Sequence, residues 1–145
     1  MIDVNGLNIL GMVAACVLSV WVADRWIARR RGRRLARFAA DRHVRYSGVD
    51  RFNLGLRIQP CLPHPGAAEV VVSDVMYRTD QDNHAYVFTA TYVTGTTSGH
   101  ARHRIIAAVS EPRGRSCDCF GSVRAADASL DVEAQYRSLL DATHT

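Results

Sequence analysis

Cys117-x-Cys119, inside the stretch EPRGRSCDCFGS, is the arrangement in this 145-residue sequence best suited to chemistry. Two thiolates on a loop joined by two imidazoles complete a tetrahedral zinc site, and of the six histidines His100 and His103 lie nearest along the chain. Two points weigh against zinc. Histidines three apart on a strand face opposite sides, and structural zinc loops usually keep about two to four residues between their thiolates. The same pair reads equally as two reduced thiols on an exposed loop, with Cys61 as a small buried hydrophobe. Redox sensing by Cys117 and Cys119 is a further option, but no neighbouring sequence feature marks an activated thiol.

Other chemistry has less to work with. The nucleophile elbow G-x-S-x-G, the phosphate-binding G-x-x-x-x-G-K-[ST], a G-x-G-x-x-G after a strand and H-E-x-x-H are all missing from the sequence. Asp80 and Asp82 form a close carboxylate pair, yet they sit in TDQDN, where solvated turn chemistry explains them. The sequence therefore favours a non-enzymatic protein with no cofactor.

The element that must position everything else is GMVAACVLSVWVADRWIARRRGRR, residues 11–34. From Leu7 to Ala23 there is no charge, and at 1.5 Å per residue the run makes roughly 25 Å of helix, a little short of the ~30 Å hydrocarbon core. Trp21, Trp26 and Ile27 extend the apolar surface, and the two indoles stand where interfacial aromatics belong. The sequence predicts a transmembrane helix over residues 7–28. The arginines Arg29, Arg30, Arg31, Arg33 and Arg34 follow it, whereas the residues ahead carry only Asp3, so the positive-inside rule places the tail 1–6 outside and the rest in the cytoplasm. A cleaved secretory signal has the opposite polarity. Val13-Ala14-Ala15-Cys16 resembles a lipobox that would anchor the chain as a lipoprotein at Cys16. The apolar run nonetheless continues through Val22, where a lipoprotein turns polar.

Gly11, Ala15, Ser19 and Ala23 recur every four residues and form a small-residue stripe, a candidate helix–helix interface with a second copy or another membrane protein. The five arginines that set topology also suit anionic lipid headgroups. They do not make a nucleic-acid site. The net charge of +4 collapses once located: seven arginines lie between Arg25 and Arg37, while from Phe38 onward eleven arginines face twelve acids. All 18 basic side chains are arginine, a bias of high-GC bacterial genomes more than of a recognition strategy.

Beyond the span, residues 29–43 read as an Arg-rich juxtamembrane helix with Leu35, Phe38 and Ala39 on one side, ended by Ser47-Gly48. The segment Val49 to Pro65 has no clean period, though Phe52, Leu54, Leu56 and Ile58 alternate as a short strand would. Three strands then follow as an antiparallel meander: Glu69 to Arg78, His84 to Thr94, and His100 to Glu111. In the second, Tyr86, Phe88, Ala90 and Tyr92 form the expected core face, with Val87, Thr89, Thr91 and Val93 opposite. A final helix to about Ala142, capped by Asp127 or Ser129, presents Val132, Tyr136, Leu139 and Leu140 to the sheet. The expected class is α+β, with residues 44–145 forming a small cytoplasmic domain.

The order of apolar span, basic stretch, FAADRHVRYSG, and a meander with central strand YVFTATY and a last strand ending VSEP resembles a family of bacterial single-pass membrane proteins with a small cytoplasmic β-rich domain. The likeness covers about two thirds of the chain. It implies the bacterial inner membrane, supplies no catalytic residue, and does not extend to the Cys117/Cys119 loop. The expectation is a membrane-anchored interaction or accessory module.

Overall fold

The computed structural model describes residues 4–64, 66–96, 99–114, 120 and 122–143, with side chains from residue 11 onward except residue 96. It divides into two compact units, Met1–Arg34 and Leu35–Thr145.

The first unit is helix. Helix α1 spans Val4–Asp41, 38 residues or roughly 57 Å, and its last turns belong to the second unit. Among the described residues it is the one helix long and apolar enough to cross a membrane, and the apolar window within Gly11–Asp41 has a mean hydropathy of 1.4 with none of it buried. Ser47-Gly48 does not end this helix, contrary to expectation. It stops at His43, whose φ of 56° reverses the backbone while the Val44 amide bonds Ala39 O at 2.9 Å and the His43 amide bonds Ala40 O at 3.1 Å. This is the Schellman ending, with its apolar contact supplied by buried Val44 and Ala39.

The second unit is α+β, with five antiparallel strands in sequence order: β1 Arg45–Val49, β2 Ala68–Thr79, β3 Asn83–Thr96, β4 Gly99–Pro112 and β5 Arg124–Ala125. Ser47 and Gly48 thus lie inside a strand, because pairing with Val75 and its neighbours on β2 outweighs their turn propensity. The alternation at Phe52 to Ile58 is also not a strand. Helix α2 occupies Leu54–Ile58 and continues into a 3₁₀ turn, Gln59–Cys61. Leu54 and Ile58, four apart, are fully buried while Leu56 is 75% exposed, the helical reading of the same spacing. Helix α3, Val132–Ala142, is capped by Asp131, whose carboxylate accepts the Ala134 amide at 2.9 Å; Asp127 and Ser129 instead bond to each other in the preceding turn.

Both faces of the sheet are buried, where one was expected. On one, Tyr86, Phe88, Ala90 and Tyr92 pack with Val72, Val75 and the α2 side chains Leu54 and Ile58. On the other, Val87, Met76, Ile106 and Ala108 meet Leu35 and Ala39 of α1 and Tyr136, Leu139 and Leu140 of α3. Thr89 also points into this second core, 2% exposed, its hydroxyl 3.0 Å from that of Tyr136. A bulge between Ser73 and Met76 shifts the alternation of β2, so that Val72 before it and Val75 after it face the same core while Met76 faces the other. Asp74 takes φ 53° there; its carboxylate accepts the Tyr46 hydroxyl at 2.7 Å and its carbonyl the Tyr136 hydroxyl at 2.8 Å.

Candidate functional site

Four groups of polar or exposed residues stand out, and the described residues bring together only some of those that the sequence singled out. On α1, Gly11, Ala15, Ser19 and Ala23 are all exposed along one side, with the Ser19 hydroxyl folded back onto Ala15 O at 2.7 Å. Returning the hydroxyl to its own helix removes a polar group from the stripe and leaves a flat, small-residue surface. Leu18, Val22 and Trp26 border it and form, with Ser19 and Ala23, a shallow apolar furrow. Cys16 is an exposed free thiol on the same helix.

The arginines that follow are organised by the indoles. Arg30 lies 3.4 Å over the Trp26 ring and Arg25 5.4 Å over Trp21, each four residues on, which is the spacing that stacks neighbours on a helix. Arg29, Arg33 and Arg34 are exposed and Arg31 is half-buried. Stacked guanidinium and indole form one amphipathic unit, apolar on one side and charged on the other.

The histidine group differs from the expected zinc arrangement. His100 is exposed on β4, whereas His103 is half-buried on the other side of the strand. His103 stacks on His64 with ring centres 4.4 Å apart and on Tyr92 at 5.3 Å. The His64 Nδ1 is 2.9 Å from the Tyr92 hydroxyl, and the His103 Nε2 is 2.7 Å from the Thr94 hydroxyl, so each ring has one nitrogen engaged. Burial raises the Tyr92 phenol above its usual range, which keeps the hydroxyl protonated. Cys117 and Cys119 lie outside the described residues, and among those described no three His, Cys, Asp or Glu gather where a metal ion would bind.

A fourth group carried no sequence signal. Arg57 of α2 reaches across one sheet face to Glu111 at the end of β4, and the Tyr86 hydroxyl donates to the same carboxylate at 2.9 Å. The Phe120 ring stacks 4.2 Å from the guanidinium, the Phe120 amide donates to Arg57 O at 3.3 Å, and the Cys61 thiol donates to Phe120 O at 2.6 Å. Glu111 is 7% exposed. Burial pushes its carboxyl upward, but hydrogen bonds from Arg57 and Tyr86 and the guanidinium charge outweigh it and hold it below the usual range. The Tyr86 phenol is pushed up to about 12, first by burial and then by its bond to Glu111. An ion pair closed over by Phe120 acts as a clamp: it fastens α2 and the 3₁₀ turn to the sheet.

An open groove of about 520 Å³ lies between the end of α3 and the sheet, floored by Ala85 and Ala108 and edged by Asp80, Asn83, Ser110 and Arg124. No protein-family model, no curated protein and no solved structure matches this chain.

Proposed function

We propose that the chain is a single-pass, membrane-anchored interaction module of the bacterial inner membrane, non-enzymatic, with its N-terminus outside and its α+β domain in the cytoplasm. One observation carries the reading. The α1 surface from Gly11 to Ala23 is uncharged and exposed on all sides, and it passes directly into Trp–Arg units and an arginine cluster. Water would penalise that surface and a bilayer would not; the indoles and guanidinium groups match its interface, with the arginines facing anionic headgroups on the cytoplasmic side. The stripe Gly11, Ala15, Ser19 and Ala23 is the surface through which the span pairs with itself or with another membrane protein, since small residues let backbones approach closely.

Substituting leucine at Gly11 and Ala15 fills that surface. In mild detergent, the full-length double variant is expected to lose the association that the parent shows by cross-linking and native mass spectrometry. Association equal to the parent's removes the stripe from the argument. A mass truncated before Cys16 and carrying acyl chains would replace the span with a lipid anchor.

A further inference from the structure

We infer that the gap where β1 parts from β2, lined by His43, Arg45, Tyr77, Arg78 and Thr79, binds a phosphoryl group. The inference goes beyond the anchored module and does not rest on it, since all five residues belong to the second unit.

The gap is a product of register. Arg45 pairs with Tyr77 at the start of β1, and one more antiparallel step would set His43 against Thr79. That step is not taken. The φ of 56° at His43, where α1 ends, turns the chain out of line, so β2 runs on through Arg78 and Thr79 with no β1 residue opposite. A cavity of about 320 Å³ is left at this fork. On its other side β2 is held by β3, and at the turn the Asp80 amide bonds Asn83 O at 2.9 Å. Backbone groups alternate sides along an antiparallel ladder, and the pairing of Met76 to Thr79 with β3 is unbroken, so the Thr79 amide points the opposite way, toward the fork. The Thr79 hydroxyl is 3.0 Å from His84 Nδ1; with that nitrogen donating, the hydroxyl keeps its own proton for a ligand.

Charge selects the ligand. Arg42, just outside the cavity, is held by Asp141 at 3.0 Å, and Arg78 in its wall by Asp80 at 2.7 Å. The exposed Arg45 side chain has neither an ion pair nor a hydrogen bond among the described residues, and none of the five lining residues is an acid. With Arg78 and Asp80 offsetting each other, Arg45 is the uncompensated charge of the site. Its guanidinium presents paired N–H donors that match two oxygens of a phosphate. The His43 ring, the Thr79 amide and the Thr79 hydroxyl add donors from other directions, which suit a tetrahedral anion better than the two coplanar oxygens of a carboxylate. The cavity is larger than inorganic phosphate, which leaves room beside the Tyr77 ring for an esterified carbon. A soluble phosphate ester and the headgroup of phosphatidic acid both present this chemistry.

The test uses ¹⁵N-labelled full-length protein in micelles of a phosphorus-free detergent, titrated with inorganic phosphate, glycerol 3-phosphate, short-chain phosphatidic acid or acetate. A phosphate probe is expected to give saturable shifts at the Thr79 amide and the Arg45 Nε. Arg45→Gln should weaken that binding by at least about tenfold, and His43→Asn, which keeps a residue tolerant of positive φ, should weaken it as well. Arg42→Gln, which loses the same charge outside the cavity, should change it by less than about threefold. Saturation by either soluble phosphate supports a site for soluble phosphoryl compounds, and saturation by phosphatidic acid alone supports a lipid headgroup site. An equal loss from Arg42→Gln shows diffuse attraction and overturns the inference. Acetate binding as tightly as the best phosphate probe overturns it too, as does the absence of a saturable shift with every phosphate probe at millimolar concentration.

Discussion

Arg57→Met keeps the apolar stem beneath Phe120 and removes the charge. The Glu111 carboxylate then stays buried without its guanidinium partner, and the Tyr86 hydroxyl and the weaker pull of His84 do not replace it, so an ion in that position is too costly to persist. Glu111 takes up a proton instead, which sets the magnitude. Protonating at pH 7 a carboxyl whose ordinary value is 4.5 costs 2.5 pH units, or about 3.4 kcal/mol at 1.36 kcal/mol per unit. That is a large share of the roughly 5–15 kcal/mol that holds a domain together, and it corresponds to a melting temperature lower by roughly 10–15 °C. The deficit must also shrink to about 0.7 kcal/mol at pH 5, since protonation there is nearly free. Arg57→Met with Glu111→Gln, which needs no proton, should recover most of the loss at pH 7. Urea unfolding of the full chain by near-ultraviolet circular dichroism measures this in the right place: all five tyrosines lie beyond residue 43, whereas both tryptophans lie on α1 within the first 26 residues and report the membrane segment. A loss under about 1 kcal/mol at pH 7, or one that is the same at pH 5, would refute the claim that this ion pair is desolvated.

Tyr86 predicts the alkaline limb. Its folded value of about 12 exceeds the ordinary 10.0, so stability is intact below pH 10, falls by up to about 3 kcal/mol as pH rises to 12, and then levels; Tyr86→Phe should flatten that decline in an alkaline urea series. Glu111, held below its usual range, gives the opposite limb: its share of stability is present at neutral pH and disappears in acid, and Glu111→Gln should remove that share of the acid dependence. Gly95→Ala should cost about 1–3 kcal/mol, because the new Cβ would lie 2.1 Å from Gly99 O, whereas Gly99→Ala, with nothing within 4 Å, should cost under about 0.5 kcal/mol. Equal melting temperatures for these two variants would contradict the hairpin geometry.

The parts of the fold that were legible in the sequence are those whose signal is local. The uncharged run of α1, the long β-branched and aromatic strands β2 to β4, and the apolar spacing of α3 each declare themselves within about fifteen residues. β1 does not, because RYSGV carries turn chemistry and becomes a strand only through its partner. α2 misleads, since apolar residues two apart satisfy a strand and a helix alike until Leu56 is seen to be exposed. β5 has two residues and no pattern at all. The second buried face was hidden because Thr89 reads as polar until the Tyr136 hydroxyl meets it. The candidate sites divide in the same way. The stripe and the arginine cluster are periodic or contiguous, whereas Arg57 and Glu111 are 54 residues apart and the His64–His103 stack joins a loop to a strand. Periodicity contains no information about such pairs; only tertiary structure creates them.

With both faces of β3 covered by apolar side chains, hydrophobicity alone loses its power to align that strand. Where one face meets water, a shift of one residue exposes the whole core set and corrects itself. Here a shifted β3 would still place Val87 or Phe88 against an apolar neighbour, and a misaligned meander could survive as a compact, slowly relaxing species during folding. Correct alignment then depends on a few polar anchors that tolerate no shift: the Tyr86 hydroxyl on Glu111, the Thr89 hydroxyl against Tyr136, and the tight return at Gly95. Each of these contacts is made at one register of β3 only, so together they mark the native alignment as well as stabilising it.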